Sequence, residues 1–321
     1  LPFGSQIKYY PDQPPNMVKP AFRQCLDVIG FDQNELLNHP AVSYQESAIE
    51  GLIHALGKQV PILPTMLNPL DFPVMIIGLE NWLQCFLFST EQVRSVLEVT
   101  LPYFIQRCER LFVLGAPAIV VSGIFVNSSI LTAELIEKVA KPALAEAFSS
   151  LSGPVIFHSG GAPLVPFLEQ LKDLPNVVGM VLNPGEDMAL ARQKLGPHKV
   201  LDGNIDGSNL HRQTAEGIYR HCRNLLQQCQ NDRHFLLGTS GADIRPETAA
   251  ENIRALRQAA RLDALQSADI VLVACGIFIY GLKQLQQAFD LPWPVVDIDS
   301  MLHRQPKKLE QELNQKIAEQ L

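Results

Sequence analysis

The sequence predicts an α/β fold, a single (β/α)8 TIM barrel, on three observations. Apolar runs of five to seven residues alternate with 10–18-residue amphipathic stretches from residue 117 to residue 260, the pattern of repeated βαβ units. The connections between them are short. The 321-residue length suits one barrel of about 250 residues with additions. Hydrophobic residues make up 47% and charged residues 18%, with mean hydropathy +0.07, so the chain can bury one large core without membrane-protein composition.

Composition also bounds function. There are 33 acidic residues against 26 basic ones, a net charge of −7, and no basic stripe. Nucleic acid is therefore excluded as a main partner, since phosphate binding needs such a stripe. No apolar run approaches the roughly 18 residues a membrane helix needs and no charged-then-apolar leader opens the sequence, so membrane spanning and export are not expected. The cysteines at 25, 85, 108, 222, 229 and 275 show neither CxxC nor zinc-knuckle spacing. This predicts packed free thiols, no disulfide framework and a reducing cytoplasm.

In chain order, residues 1–59 read as an arm and helices. Five prolines in the first 20 residues favour an extended segment. A capping box at Ser43-x-x-Glu46, ahead of Ile49, Leu52, Ile53 and Leu56 and stopped by Gly57, predicts a helix beginning there. Residues 60–262 form the barrel. Its first strand is expected at 60–66, followed by a long helix opened by Ser89-x-x-Gln92 and ended by Gly115. Strands at 117–122, 154–158, 177–183, 199–205 and 234–240 then alternate with helices at 132–149, 164–173, 187–195, 213–229 and 247–260. Residues 263–321 carry two further strands, 269–275 and 294–299, a helix over 278–289 and a closing helix from about 306. This last unit either completes the barrel or forms an appended α/β piece.

The strand Val155–His158 ends abruptly in His158, Ser159, Gly160 and Gly161. Parallel α/β folds bind ligands at the carboxyl ends of their strands, which makes His158 the leading catalytic candidate. Ser159, Asn183, Asn204, Asp206, Ser240 and Asp243 would ring the same opening, with Arg245 beside it. Individually, Asn204 and Asp206 read equally as turn and cap residues. As a ring they would form a binding site.

Several motifs, in order, resemble the superfamily of uroporphyrinogen decarboxylase and the cobalamin-dependent methyltransferases. They are Gly115-Ala116, Val155–Gly161, the stretch 181–196 beginning Val-Leu-Asn-Pro-Gly-Glu-Asp, Leu201–Asp206 (LDGNID) and Pro246–Ile253 (PETAAENI). The resemblance implies a (β/α)8 barrel of the uroporphyrinogen decarboxylase type. It implies a methyltransferase-like enzyme using a methyl-corrinoid, that is cobalamin, or a related methyl donor. A corrinoid protein then becomes an expected partner beside the small-molecule substrate, and a homodimer is compatible with the fold.

The chain departs from the family in specific places. The methyltransferase branch has His-x-Cys where this chain has His158 and Gly160, and a second cysteine where it has Ala242 or Ser240. No zinc is expected, because one histidine among serines and glycines lacks the donors, and a non-thiol acceptor follows. The family's strand-end acid falls near Gly123. The decarboxylase branch carries an arginine-rich amino-terminal stretch, whereas only Arg23 occurs in the first 40 residues. Decarboxylation of a tetrapyrrole or small acid, with Arg245 holding a carboxylate, is the alternative. A catalytically inactive binding subunit is a third. Separately, 268–276 with 294–297 resembles the last strand pair of aspartate/glutamate-type racemases, which nominates Cys275 as a site residue.

Overall fold

A computed structural model describes residues 1–9, 16–28, 32–57, 61–240, 244–245 and 247–264. An antiparallel pair, β1 (Gln6–Lys8) and β2 (Asn16–Lys19), makes up the arm. Six parallel strands follow: β3 (Thr65–Leu67), β4 (Ile119–Ser122), β5 (Val155–His158), β6 (Val177–Val181), β7 (Val200–Asp206) and β8 (Phe235–Ser240). They pair in sequence order, β3-β4-β5-β6-β7-β8, each joined to the next through helical segments. That order is the wall of a (β/α)8 barrel. The two strands expected after residue 268 lie outside the described residues, as do Asp243 and Cys275.

Side chains alternate across the wall. Ile119, Val121, Val155, Phe157, Met180, Leu201 and Ile205 join the large core shared with the helices. The alternate positions face the other way, towards the barrel interior. Register places Ser122, His158, Val181, Asp202 and Leu236 side by side in one row across β4 to β8. Below it lie Val120, Ile156 and Gly179. The row combines apolar walls with one imidazole and one carboxyl.

Several elements differ from the sequence expectation for identifiable reasons. Strand β3 is short because Pro61 and Pro64 have no N–H to donate. Pro64 nevertheless accepts a bond from Val120 N at 2.9 Å, so the extended segment pairs before the strand formally starts. The Ser43 capping box is overturned. The helix Pro40–Leu56 begins earlier, with His39 as its cap accepting from Ala41 N and Pro40 in its first turn. Glu46, freed from capping, is buried and pairs with Arg107 and Arg110 of the long helix Thr90–Val113. Gly57 and Gly115 end their helices as expected, Gly115 at φ 102°.

The cysteine expectation is also corrected. Cys25 and Cys85 form a disulfide, joining the short turn Cys25–Asp27 that follows the arm to the helix Leu79–Phe88; sixty residues separate them, so spacing alone gave no sign of the pairing. Cys108 and Cys222 are buried free thiols, as expected. Burial pushes both thiols up to about 12, so they are inert at neutral pH. No helix among the described residues is long and apolar enough to cross a membrane.

Candidate active site

The loops at the carboxyl ends of β3 to β6 are knitted together by buried polar groups. Asn68 donates to Ser122 O and accepts from Leu70 N and Asp71 N. Asp71, fully buried, accepts from Ile124 N and Phe125 N, holding the loop after β4. Burial raises its carboxyl to about 7 despite those bonds. Gly160, at φ 67°, lies against that same loop, where a Cβ would come within 2.6 Å of the Ile124 backbone. Only glycine meets both demands. Glu186 ties the next two loops by accepting from Leu164 N, Val165 N and Asn183 N.

His158 is buried at the end of β5. Its Nδ1 accepts a hydrogen bond from Gly160 N at 2.9 Å. A backbone N–H can only donate, so in the neutral ring the proton sits on Nε2, which becomes a donor. Burial lowers the imidazole to about 4, so it is neutral at pH 7.

Asp202 was not anticipated from sequence. It lies in the same inner row, across Val181 from His158. Two strand spacings separate their backbones, about 10 Å. It is 4% exposed, and its Oδ1 has no hydrogen-bond partner. Burial raises the carboxyl to about 7, against one opposing bond from Gly203 N. The carboxyl lies over Gly238, where any Cβ would overlap Oδ1. The signal was present in LDGNID as an acid inside an otherwise apolar strand, but the adjoining Gly-Asn made the segment resemble a turn.

The other candidates divide. Ser159 and Ser240 are buried with unpartnered Oγ atoms, which fits a role toward a ligand. Asn204 instead donates to Asn183 O and Glu186 O, and the Asn183 backbone serves the same loop. Asp206 caps the turn Gly207–Arg212, accepting from Ser208 and Asn209; burial pushes its carboxyl up, but these bonds outweigh it and hold it below the ordinary range. These bonds commit the Asn204 and Asp206 side chains to the loops, and the Asn183 backbone with them. Gly161 and Gly185 stand at the rim with nothing within 4 Å of a built Cβ, whereas Gly203 packs on the Leu182 backbone. Arg245 is exposed on the loop after β8.

A model of the uroporphyrinogen decarboxylase (URO-D) family matches residues 2–262. The chain belongs to the uroporphyrinogen decarboxylase family. Among solved structures, this family member resembles a methyltransferase from Methanosarcina mazei, with 17% identity and TM-score 0.73, covering 82% of this chain and 77% of that one. It also resembles two B12-independent methionine synthases, which show shared fold alone. The putative Listeria monocytogenes enzyme gives 16% identity and TM-score 0.50, covering 72% and 71%. The Shewanella enzyme gives 13% identity and TM-score 0.51, covering 69% and 68%. No curated protein matches the sequence significantly.

Family membership raises two groups, zinc and corrinoid, that the residues can be tested against. The donors for zinc do not fit: His158 Nδ1 is engaged by Gly160 N, and Gly160 with Ala242, or Ser240 in a shifted loop, stand in the sequence where the methyltransferase branch is expected to have thiolates. For a corrinoid, the rim offers open backbone at Gly161 and Gly185 and an exposed apolar side chain at Ile124, which lies against Gly160.

Proposed function

We propose that this family member transfers a methyl group from a methyl-corrinoid or related donor to a non-thiol acceptor held in the barrel. The observation that carries this reading is the pair of titratable groups in one inner row, a neutral imidazole with Nε2–H as donor and a carboxyl near neutrality with a free oxygen. Ile124, Gly161 and Gly185 would hold a corrinoid at the rim, where it would supply the methyl group. His158 Nε2–H orients and polarises the acceptor, and ionised Asp202 takes the proton the acceptor gives up. A base poised near the working pH is the effective choice for that transfer. Ser159 and Ser240 supply further hydrogen bonds. The apolar row below, Val120 and Ile156, excludes water from the reacting atoms.

The carboxy-lyase reading lacks a comparable support. It needs a guanidinium facing the substrate carboxylate, and Arg245 and Arg212 are both exposed. The proposal is tested by incubating the protein with 13C-methylcobalamin and separate amine, phenol and thiol acceptors, following corrinoid absorbance and the labelled product. Demethylation with a non-thiol acceptor, reduced about 10²-fold or more in His158→Ala, is expected. Transfer to the thiol alone, or none to any acceptor, would overturn the reading.

A further inference from the structure

We infer that the acceptor is a small alkylamine, bound as its ammonium ion by the Asp202 carboxylate on the inner face of β7. This rests on the methyl-transfer reading and specifies the substrate class of that site.

The first argument is the orphaned oxygen. Asp202 Oδ1 is buried without a partner, and leaving a buried carboxylate oxygen unpaired is costly. Folded proteins retain such a group where something else completes it. Oδ1 rests over Gly238 in the space a Cβ there would need, so no side chain from that position meets the carboxyl.

The second argument is the sign of charge. The inner-facing positions of β4 to β8 are Val120, Ser122, Ile156, His158, Gly179, Val181, Val200, Asp202, Asn204, Asp206, Leu236, Gly238 and Ser240. None is lysine or arginine. His158 is neutral at pH 7, and Asp206 is occupied by Ser208 and Asn209. Among the described residues, the one uncommitted charge on this face is therefore negative. An anionic acceptor would meet repulsion in a low-dielectric site, whereas an ammonium ion would find a partner.

The third argument is size and polarity. Between His158 and Asp202 lies a single residue, Val181, with Ile156 and Leu236 alongside. The His158 and Asp202 backbones are about 10 Å apart, so a molecule touching both side chains spans only a few heavy atoms. A small ammonium ion would direct an N–H to Asp202 Oδ1 and lay its methyl groups on Val181, Ile156 and Leu236. In the reaction, an ammonium N–H bond breaks and its proton passes to the Asp202 carboxylate, freeing the nitrogen lone pair. That pair forms the new N–CH3 bond while the donor's bond to methyl breaks, its electrons staying with the donor. The product leaves as the N-methylated ammonium ion, and the carboxyl proton returns to solvent.

The test is calorimetric titration of the whole protein at pH 7.5, without methyl donor, using dimethylammonium, isopropanol as a neutral near-isostere, and acetate. Dimethylammonium should bind at least roughly tenfold more tightly than isopropanol or acetate. Asp202→Asn should remove that preference while leaving isopropanol unchanged. Binding should also release protons, visible as heats that depend on the buffer's ionisation enthalpy, because the cation favours ionised Asp202. Acetate binding as tightly as the amine, or an amine preference unchanged in Asp202→Asn, would overturn the inference. The comparison of the three ligands on the unaltered chain decides it even if the variant fails to fold. Amine binding without later methyl transfer would defeat the methyl-transfer reading and leave the amine site standing; transfer to a phenol without amine binding would do the reverse.

Discussion

Burial acts on His158 and Asp202 in opposite directions, and each leaves a signature in stability. The folded carboxyl at about 7, against an ordinary 3.8, means that the folded chain binds this proton more tightly than the unfolded one. Stability from Asp202 is therefore full below about pH 4 and is lost as pH rises towards 7. Asp202→Asn should remove its share of that slope, Asp71 keeping its own: denaturant midpoints should show the variant gaining on the unaltered protein between pH 5 and pH 7. The scale is ~1.4 kcal/mol per pKa unit. For His158, about 4 against 6.5, the neutral ring suits the fold, and its contribution is lost as pH falls from 6.5 towards 4. His158→Gln should be less sensitive to acid over that window in the same measurement. The two substitutions thus change the pH profile with opposite signs, which a merely general destabilisation would not do.

At the scale of elements, buried polar links decide where the helices and loops sit. Arg107 lies on the buried face of the helix Thr90–Val113, donating to Glu46 and to Gln45. Arg110 completes the cluster through Glu46 Oε2 at 2.8 Å and Leu37 O at 2.9 Å. Removing one partner strands a buried charge, so Glu46→Gln should cost ~3–5 kcal/mol, seen as a lower urea midpoint. Reduction of Cys25–Cys85, which closes a 60-residue separation, should cost ~2–4 kcal/mol, measured as a fall in melting temperature with reductant. Gly160→Ala should destabilise and also distort His158, because both the positive φ and the Ile124 backbone oppose a Cβ.

These links are also where sequence reading reaches its limit. Apolar runs flanked by turn residues located β4 to β8 within a few residues, since strand identity is written in local pattern. His158 was legible because a strand stopped on it. Asp202 was not, because a single acid beside Gly-Asn looks like a turn until register sets it level with His158. Glu46 looked like a cap because its partner lies 61 residues away. The same distance problem concealed the disulfide. Arg107 did leave a trace, as a charge on the helical stripe shared with Phe104, Cys108 and Leu111.

For the molecule as a whole, the parallel order β3 to β8 makes one curved wall whose outer face is committed to the helices and whose inner face carries His158 and Asp202. The amino-terminal arm reinforces the rim: Phe3 packs edge-on against Phe72 and Tyr103, with ring centres 5.3 and 5.1 Å apart, next to Asp71. That arrangement leaves the row from Ser122 to Leu236 as the place where family architecture and this chain's own titratable groups coincide. In the proposed reaction Asp202 is the proton acceptor while neutral His158 orients the substrate. The groups facing Asp202 across the wall are His158 on β5 and none that titrates on β6 or β8; Asp71, also near 7, is bound to Ile124 N and Phe125 N at the loop after β4, so loss of the limb in Asp202→Asn is what assigns it. The most direct measurement is single-turnover methyl transfer from methylcobalamin to an amine between pH 5 and pH 9. The account predicts a rate that rises through an apparent pKa near 7, with that limb absent and the plateau lowered about 10²-fold or more in Asp202→Asn. An unchanged profile in the variant would contradict it.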